Sequence, residues 1–141
     1  MMTKNTVILG VIGVDAHVVG NKIIENALRE SSFNVVNIGT FVTQEDFIKA
    51  AIETDASSIL VGSLCGHGEL DCSGFREKCI EAGKGSIHLV VGGNLVVGKQ
   101  DWKSTHEKFL NMGFNRVYPP GVSVHLIISD LKKDLGVIDG K

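Results

Sequence analysis

The sequence predicts a doubly wound, flavodoxin-like (Rossmann-like) α/β fold: a five-stranded parallel sheet in the order 2-1-3-4-5 with helices on both faces. Three short runs, residues 6–11, 58–64 and 88–91, are apolar almost without alternation. Such runs suit strands that are covered on both faces. Helical periods lie between them, so that about five β–α units alternate, and right-handed crossovers then restrict the strand order. Glycine is concentrated where strands end, at Gly10, Gly13, Gly39, Gly62, Gly66, Gly68, Gly92 and Gly93.

The elements follow in order. After the strand at 6–11, a helix over about 21–30 places Ile23, Ile24, Ala27 and Leu28 on one face. A second strand spans 33–38. Thr43 and Asp46 resemble a capping box for a helix whose apolar face is Phe47, Ile48, Ala51 and Ile52. Beyond the strand at 58–64, Cys72, Phe75, Cys79 and Ala82 share a helical stripe. After the strand at 88–91, Asp101 caps a helix carrying Trp102, His106, Phe109 and Leu110, which Gly113 stops. Residues 116–118 form the fifth strand. Ser123 opens a last helix with the stripe Val124, Ile127, Ile128, Leu131 and Leu135. No repeat or linker interrupts this plan, so the 141 residues are expected to form a single domain, 1–141.

Bulk properties exclude several classes. A formal net charge of −2 with mixed signs leaves no footprint for nucleic acid or an anionic membrane. No apolar run reaches the length of a membrane span. The first residues lead into a strand with no signal-peptide pattern, so a cytoplasmic chain is expected. Cys65, Cys72 and Cys79 match no zinc spacing. Cys72 and Cys79 read as small buried hydrophobes, whereas Cys65 sits in a glycine-flanked loop where a ligand could lie. His67 forms only a single Cys-x-His pair with Cys65. His88, His106 and His125 lack a carboxylate at motif spacing and read as structural, and Glu69 and Asp71 read as first-turn helix acids. Neither G-x-G-x-x-G nor a Walker lysine pattern occurs, which argues against a dinucleotide or triphosphate site.

One motif carries chemistry. Asp15, His17 and Gly20 form D-x-H-x-x-G where the first strand hands over to a helix. That pattern offers an imidazole as metal ligand, with a carboxylate two residues away to orient it. The bland alternative is a turn with an aspartate cap and an unrelated histidine. In the order 2-1-3-4-5 the switch point lies between the first and third strands, so loops 13–20 and 62–68 face one crevice. Residues 91–98 are both glycine-rich and apolar, as a tight turn with a hydrophobic plug or as a ligand contact. A greasy slot of that kind suits a large flat group better than a polyphosphate.

These residues resemble the cobalamin-binding domains marked by D-x-H-x-x-G, then S-x-L, then G-G. Asp15-Ala16-His17-Val18-Val19-Gly20 matches the first element, Gly62-Ser63-Leu64 stands at the second, and Gly92-Gly93 matches the third. The likeness spans essentially the whole chain and is closest to the small subunits of glutamate mutases. It implies a base-off, histidine-on corrinoid, adenosylcobalamin, with His17 as axial cobalt ligand and Asp15 hydrogen-bonded behind it. It further implies contacts from Val14, Ala16, Val18 and Gly20, and a tail slot lined by Gly62, Ser63, Leu64, Gly92, Gly93, Asn94, Leu95, Val96, Val97 and Gly98. No catalytic residue is expected in this chain itself. The implied partner is a larger barrel-type subunit, in a heterotetramer of two large and two small chains, that isomerises L-glutamate to threo-3-methylaspartate. One departure is plain: the serine of S-x-L is Gly62 here, and Ser63, one position on, faces the other way on a strand. Alternatives are the corrinoid subunit of another mutase or a methyltransferase, or a non-catalytic flavodoxin-like module. With the signature beginning at Asp15, the helical cap usual in the methyl-transfer proteins is not expected, and the acidic cluster of a phosphoacceptor is missing from the motif loops.

Overall fold

A computed structural model describes residues 5–12, 19–63, 72–93, 101–119 and 121–136. Five parallel strands, β1 (Thr6–Val11), β2 (Asn34–Asn37), β3 (Ser58–Ser63), β4 (His88–Gly93) and β5 (Arg116–Tyr118), form one sheet. Their order is β2-β1-β3-β4-β5, as the alternation predicts. The helices are α1 (Val19–Glu30), α2 (Gln44–Thr54), α3 (Phe75–Glu81), α4 (Trp102–Asn111) and α5 (Val124–Leu135). Among the described residues, no helix is long and apolar enough to cross a membrane.

Successive strand residues face opposite layers, and both layers are apolar. Ile8, Ile59, Val61, Leu89 and Val91 meet α2, α3 and α4 through Phe47, Phe75 and Phe109. Phe114 joins this layer, with its ring centroid 6.1 Å from those of Phe75 and Phe109. On the other face Val7, Leu9, Leu60, Val90 and Tyr118 meet Leu28 of α1 and Ile127, Ile128 and Leu131 of α5. The predicted capping box is present: the Asp46 amide donates to Thr43 Oγ1, and the Thr43 amide donates to the Asp46 carboxylate.

The differences from expectation have local causes. α1 begins at Val19 rather than 21, and β2 is shorter than 33–38. β4 runs on to Gly93 because Gly92 and Gly93 pair with Gly62 and Ser63, so the ladder continues past Val91. Helix stripes are narrower than the apolar runs that suggested them. Ile23 and Ile52 are about half exposed, Trp102 and Leu110 lie at the rim of α4, and Thr105 is buried beside Phe109. Ala82 is the exposed C-cap of α3, off the stripe of Cys72, Phe75 and Cys79.

Gly10 lies within β1, not at its end. A Cβ there would stand 3.0 Å from Ile38 Cγ1 and 3.1 Å from the Phe47 ring. The missing side chain is what lets α2 seat on the sheet. Gly10→Val is expected to destabilise the fold by about 1–3 kcal/mol, measured as a lower urea midpoint at unchanged slope.

The amino ends of the strands are fastened by polar groups. Arg76 of α3 donates to the carbonyls of Gly85, Ile87 and Gly113 and to Asn115 Oδ1. Beside it Ser58, His88 and Arg116 open three adjacent strands. His88 Nδ1 lies 2.9 Å from Ser58 Oγ, and His88 Nε2 lies 2.8 Å from Asp134 of α5. Arg116 donates to both oxygens of that carboxylate, each at 2.8 Å. The carboxylate companion of His88 is therefore 46 residues away in sequence, beyond the reach of any motif. The row Ser58–His88–Asp134 has the residue types of a nucleophilic triad, but Ser58 is fully buried and Arg116 already claims the carboxylate. It is a fastening.

Candidate functional site

The chain reverses its direction of travel across the sheet between β1 and β3, and the site is built at their carboxyl ends. Here the Ile12 amide donates to the Gly62 carbonyl at 2.9 Å, and the Val11 amide donates to Gly39 at 2.8 Å. Gly39 adopts φ +89, which frees the chain to turn back to Val42, whose amide donates to Val11. Phe41 in this turn also has positive φ, at 58°, with its ring more than half exposed.

Gly62 and Gly92 stand opposite each other in the ladder, flanked by Val11 and Tyr118. By strand alternation all four face the layer of α1 and α5. Neither glycine has positive φ, so the backbone does not demand one at either place. Among the described residues a Cβ on Gly62 would make only ordinary contacts, 3.5 Å to the Gly10 carbonyl and 3.7 Å to Val11. One on Gly92 would lie 3.4 Å from Tyr118 Cβ. The result is a pair of bare peptides on a face of the sheet that is otherwise filled by side chains. Ser63 points into the opposite layer, where its hydroxyl is fully buried with no hydrogen-bond partner among the described residues.

Glu25 sets the place of α1, the helix that starts two residues after His17. Its carboxylate accepts from Asn37 at 2.8 Å and from Arg29 at 2.9 and 3.2 Å, while Arg29 also reaches the Val35 carbonyl. The Asn37 hydrogen bond, then Arg29, hold the Glu25 carboxyl down at about 2. Glu25 belongs to none of the motifs in the sequence. Its spacing of four from Arg29 was the available signal. Tyr118 was read only as a strand residue. It donates to Asp130 at 2.7 Å, and burial, then that bond, pushes its phenol well above the ordinary range.

Of the predicted site residues, the structure brings together Gly62, Ser63, Gly92 and Gly93 at the ends of β3 and β4 and places Gly20 in the first turn of α1. Val14, Asp15, Ala16, His17, Val18, Leu64, Asn94, Leu95, Val96, Val97 and Gly98 lie outside the described residues, as do Cys65, His67, Glu69 and Asp71. His106 rests against Trp102, with ring centroids 5.8 Å apart, and His125 is exposed at the start of α5. No group of three or more metal-ligating side chains occurs among the described residues.

The family model for the B12 binding domain matches residues 5–109. The chain is also 58% identical over 136 residues to the glutamate mutase sigma subunit of Clostridium tetanomorphum, covering 96% of this chain and 99% of that one. The chain belongs to the glutamate mutase sigma subunit family. A family of B12-binding chains takes cobalamin as its cofactor, and the sigma subunit is one member of a mutase complex. The fold by itself is less specific. A cobalamin-binding protein from Desulfitobacterium hafniense DCB-2 superposes with a TM-score of 0.74 at 12% identity, over 92% of this chain and 58% of that one. The signal receiver domain of NarL from Mycobacterium tuberculosis gives 0.67 at 12% identity, over 96% of this chain and 98% of that one. Sequence identity, not the fold, separates this chain from such a receiver. The bare row at Gly62 and Gly92 fits a group with a flat aromatic part, which needs uncovered peptide to lie against.

Proposed function

We propose that this chain carries adenosylcobalamin for a glutamate mutase that isomerises L-glutamate to threo-3-methylaspartate. In this reading His17 ligates cobalt, as the metal residue of the chain, and Asp15 holds its second ring nitrogen. The cofactor would bring most of its metal's ligands with it, so one protein side chain, that of His17, would suffice for the metal. The residues Gly62 to Leu64 and Gly92 to Gly98 line the slot for the tail, with Gly20 opening the helix beside it. When bound, the cofactor supplies a weak cobalt–carbon bond as a source of radicals. The chain's own work is to grip, orient and exclude water, and it is inactive alone. Its partner is a larger barrel-type catalytic subunit, in a complex of two large and two small chains, working in the cytoplasm.

The observation that carries this reading is the 58% identity to a glutamate mutase sigma subunit over nearly the full length of both chains. Titrating the purified chain with hydroxocobalamin is expected to change the visible spectrum with saturation at one equivalent. Adding adenosylcobalamin, a glutamate mutase large subunit and L-glutamate is then expected to yield 3-methylaspartate. A chain that binds corrinoid but supports no isomerisation with that subunit would point to another mutase or a methyl carrier.

A further inference from the structure

The tail slot has a floor, and its composition bears on which cobamides it accepts. Leu60 and Val90 are buried on the face towards α1 and α5, but Gly62 and Gly92, two residues on, are only half-buried. Polar groups along this row are already engaged. The Gly62 carbonyl accepts from Ile12, and the phenolic proton of Tyr118 goes to Asp130. Ser63, the one hydroxyl nearby on β3, faces the opposite layer. The described floor thus presents apolar edges and peptide planes whose hydrogen bonds run within the sheet.

Resting on the cobalamin reading above, we propose that Gly62 makes the slot indifferent to the chemical identity of the cobamide's lower base. Only the tail of a cobamide is slim enough to enter between a helix and a sheet, and it ends in a flat ring. A bare peptide floor accepts that ring by its shape and offers it no hydrogen bond. A side chain at position 62 would change this in one of two ways. A hydroxyl there adds a donor that only a base with a ring nitrogen can use, and branched bulk there occupies the space itself.

The test compares four corrinoids by spectroscopic titration of the full chain: the dimethylbenzimidazolyl, adeninyl and cresolyl cobamides, and cobinamide, which lacks the nucleotide tail. The wild-type chain is expected to bind the three tailed forms within about threefold of one another. Gly62→Ser, whose Cβ meets only ordinary contacts among the described residues, is expected to favour the two nitrogen bases over the cresolyl form by about 2- to 12-fold, the worth of one hydrogen bond. Gly62→Val is expected to weaken all three tailed forms about tenfold or more and to leave cobinamide within about twofold. Wild-type discrimination above about tenfold between dimethylbenzimidazolyl and cresolyl forms would overturn the proposal. So would a Gly62→Ser chain whose preferences are unchanged, or a Gly62→Val chain that folds and loses cobinamide equally, as when the chain's own residues fill the row. Failure of the wild-type chain to bind any of the four would instead remove the cobalamin reading itself.

Discussion

Replacing His17 with alanine is expected to lower the affinity for hydroxocobalamin by about 100-fold or more, roughly 2.7 kcal/mol. Coordination by a protein imidazole is a directional bond that no neighbouring group in the signature can replace. The cobalt(II) form offers a direct readout. Labelling the chain's histidines with nitrogen-15 should alter the nitrogen splitting of its electron-spin spectrum in the wild-type chain and leave the alanine variant unaffected. Asp15→Asn should retain the labelled signal and lose about 10- to 100-fold in affinity, because it disturbs only the orientation and basicity of the ligand. An alanine variant with wild-type affinity and an unlabelled spectrum in the wild type would remove His17 from the metal.

Asp134→Ala is expected to cost about 2–3 kcal/mol of stability, or a drop in Tm of about 6–10 °C. Arg116 loses both acceptors and His88 loses one, and these groups hold α5 to the first residues of β4 and β5. Arg116 keeps about a third of its side chain in solvent, which moderates the loss. The effect has a pH signature. The Arg116 hydrogen bonds, and secondarily His88, lower the Asp134 carboxyl from 3.8 to about 2. A carboxyl depressed by folding stabilises fully above its unfolded value and loses that contribution as pH falls through the folded one. The wild-type chain therefore loses stability between about pH 4 and 2, with Glu25 contributing in the same sense from 4.5 downward. In Asp134→Ala that acid limb is expected to be shallower. Urea midpoints measured at pH 7, 4 and 2.5 check this, and parallel curves for the two chains would assign the acid loss elsewhere.

The fold was legible because buried parallel strands announce themselves as uninterrupted apolar runs. Val7 to Leu9 and Ile59 to Val61 read as two-sided strands and are buried on both sides of the sheet. The cap at Thr43 was equally clear, since a capping box is a local device. What escaped the reading is non-local. Nothing near His88 in sequence announces Asp134, and nothing near Glu25 announces Asn37, because these pairs exist only once crossovers bring the elements together. Helix stripes were drawn too wide for a similar reason: the pattern marks Ile23 and Ile52 as apolar but does not say how much of each helix the sheet can cover. At the site, the motif spacing named Gly62 and Gly92. Only the register shows that they stand abreast, and only the ladder beyond Val91 shows that β4 carries Gly92.

The polar fastenings of Arg76, Arg116 and Asp134 gather where the strands begin, and the uncovered glycines gather where they finish. Much of the resistance to heat and acid is therefore placed at one pole of the molecule, while the proposed recognition of the cofactor belongs to the other. An engineer could rewrite the recognition pole to welcome a different tetrapyrrole while leaving the frame that keeps the chain folded untouched.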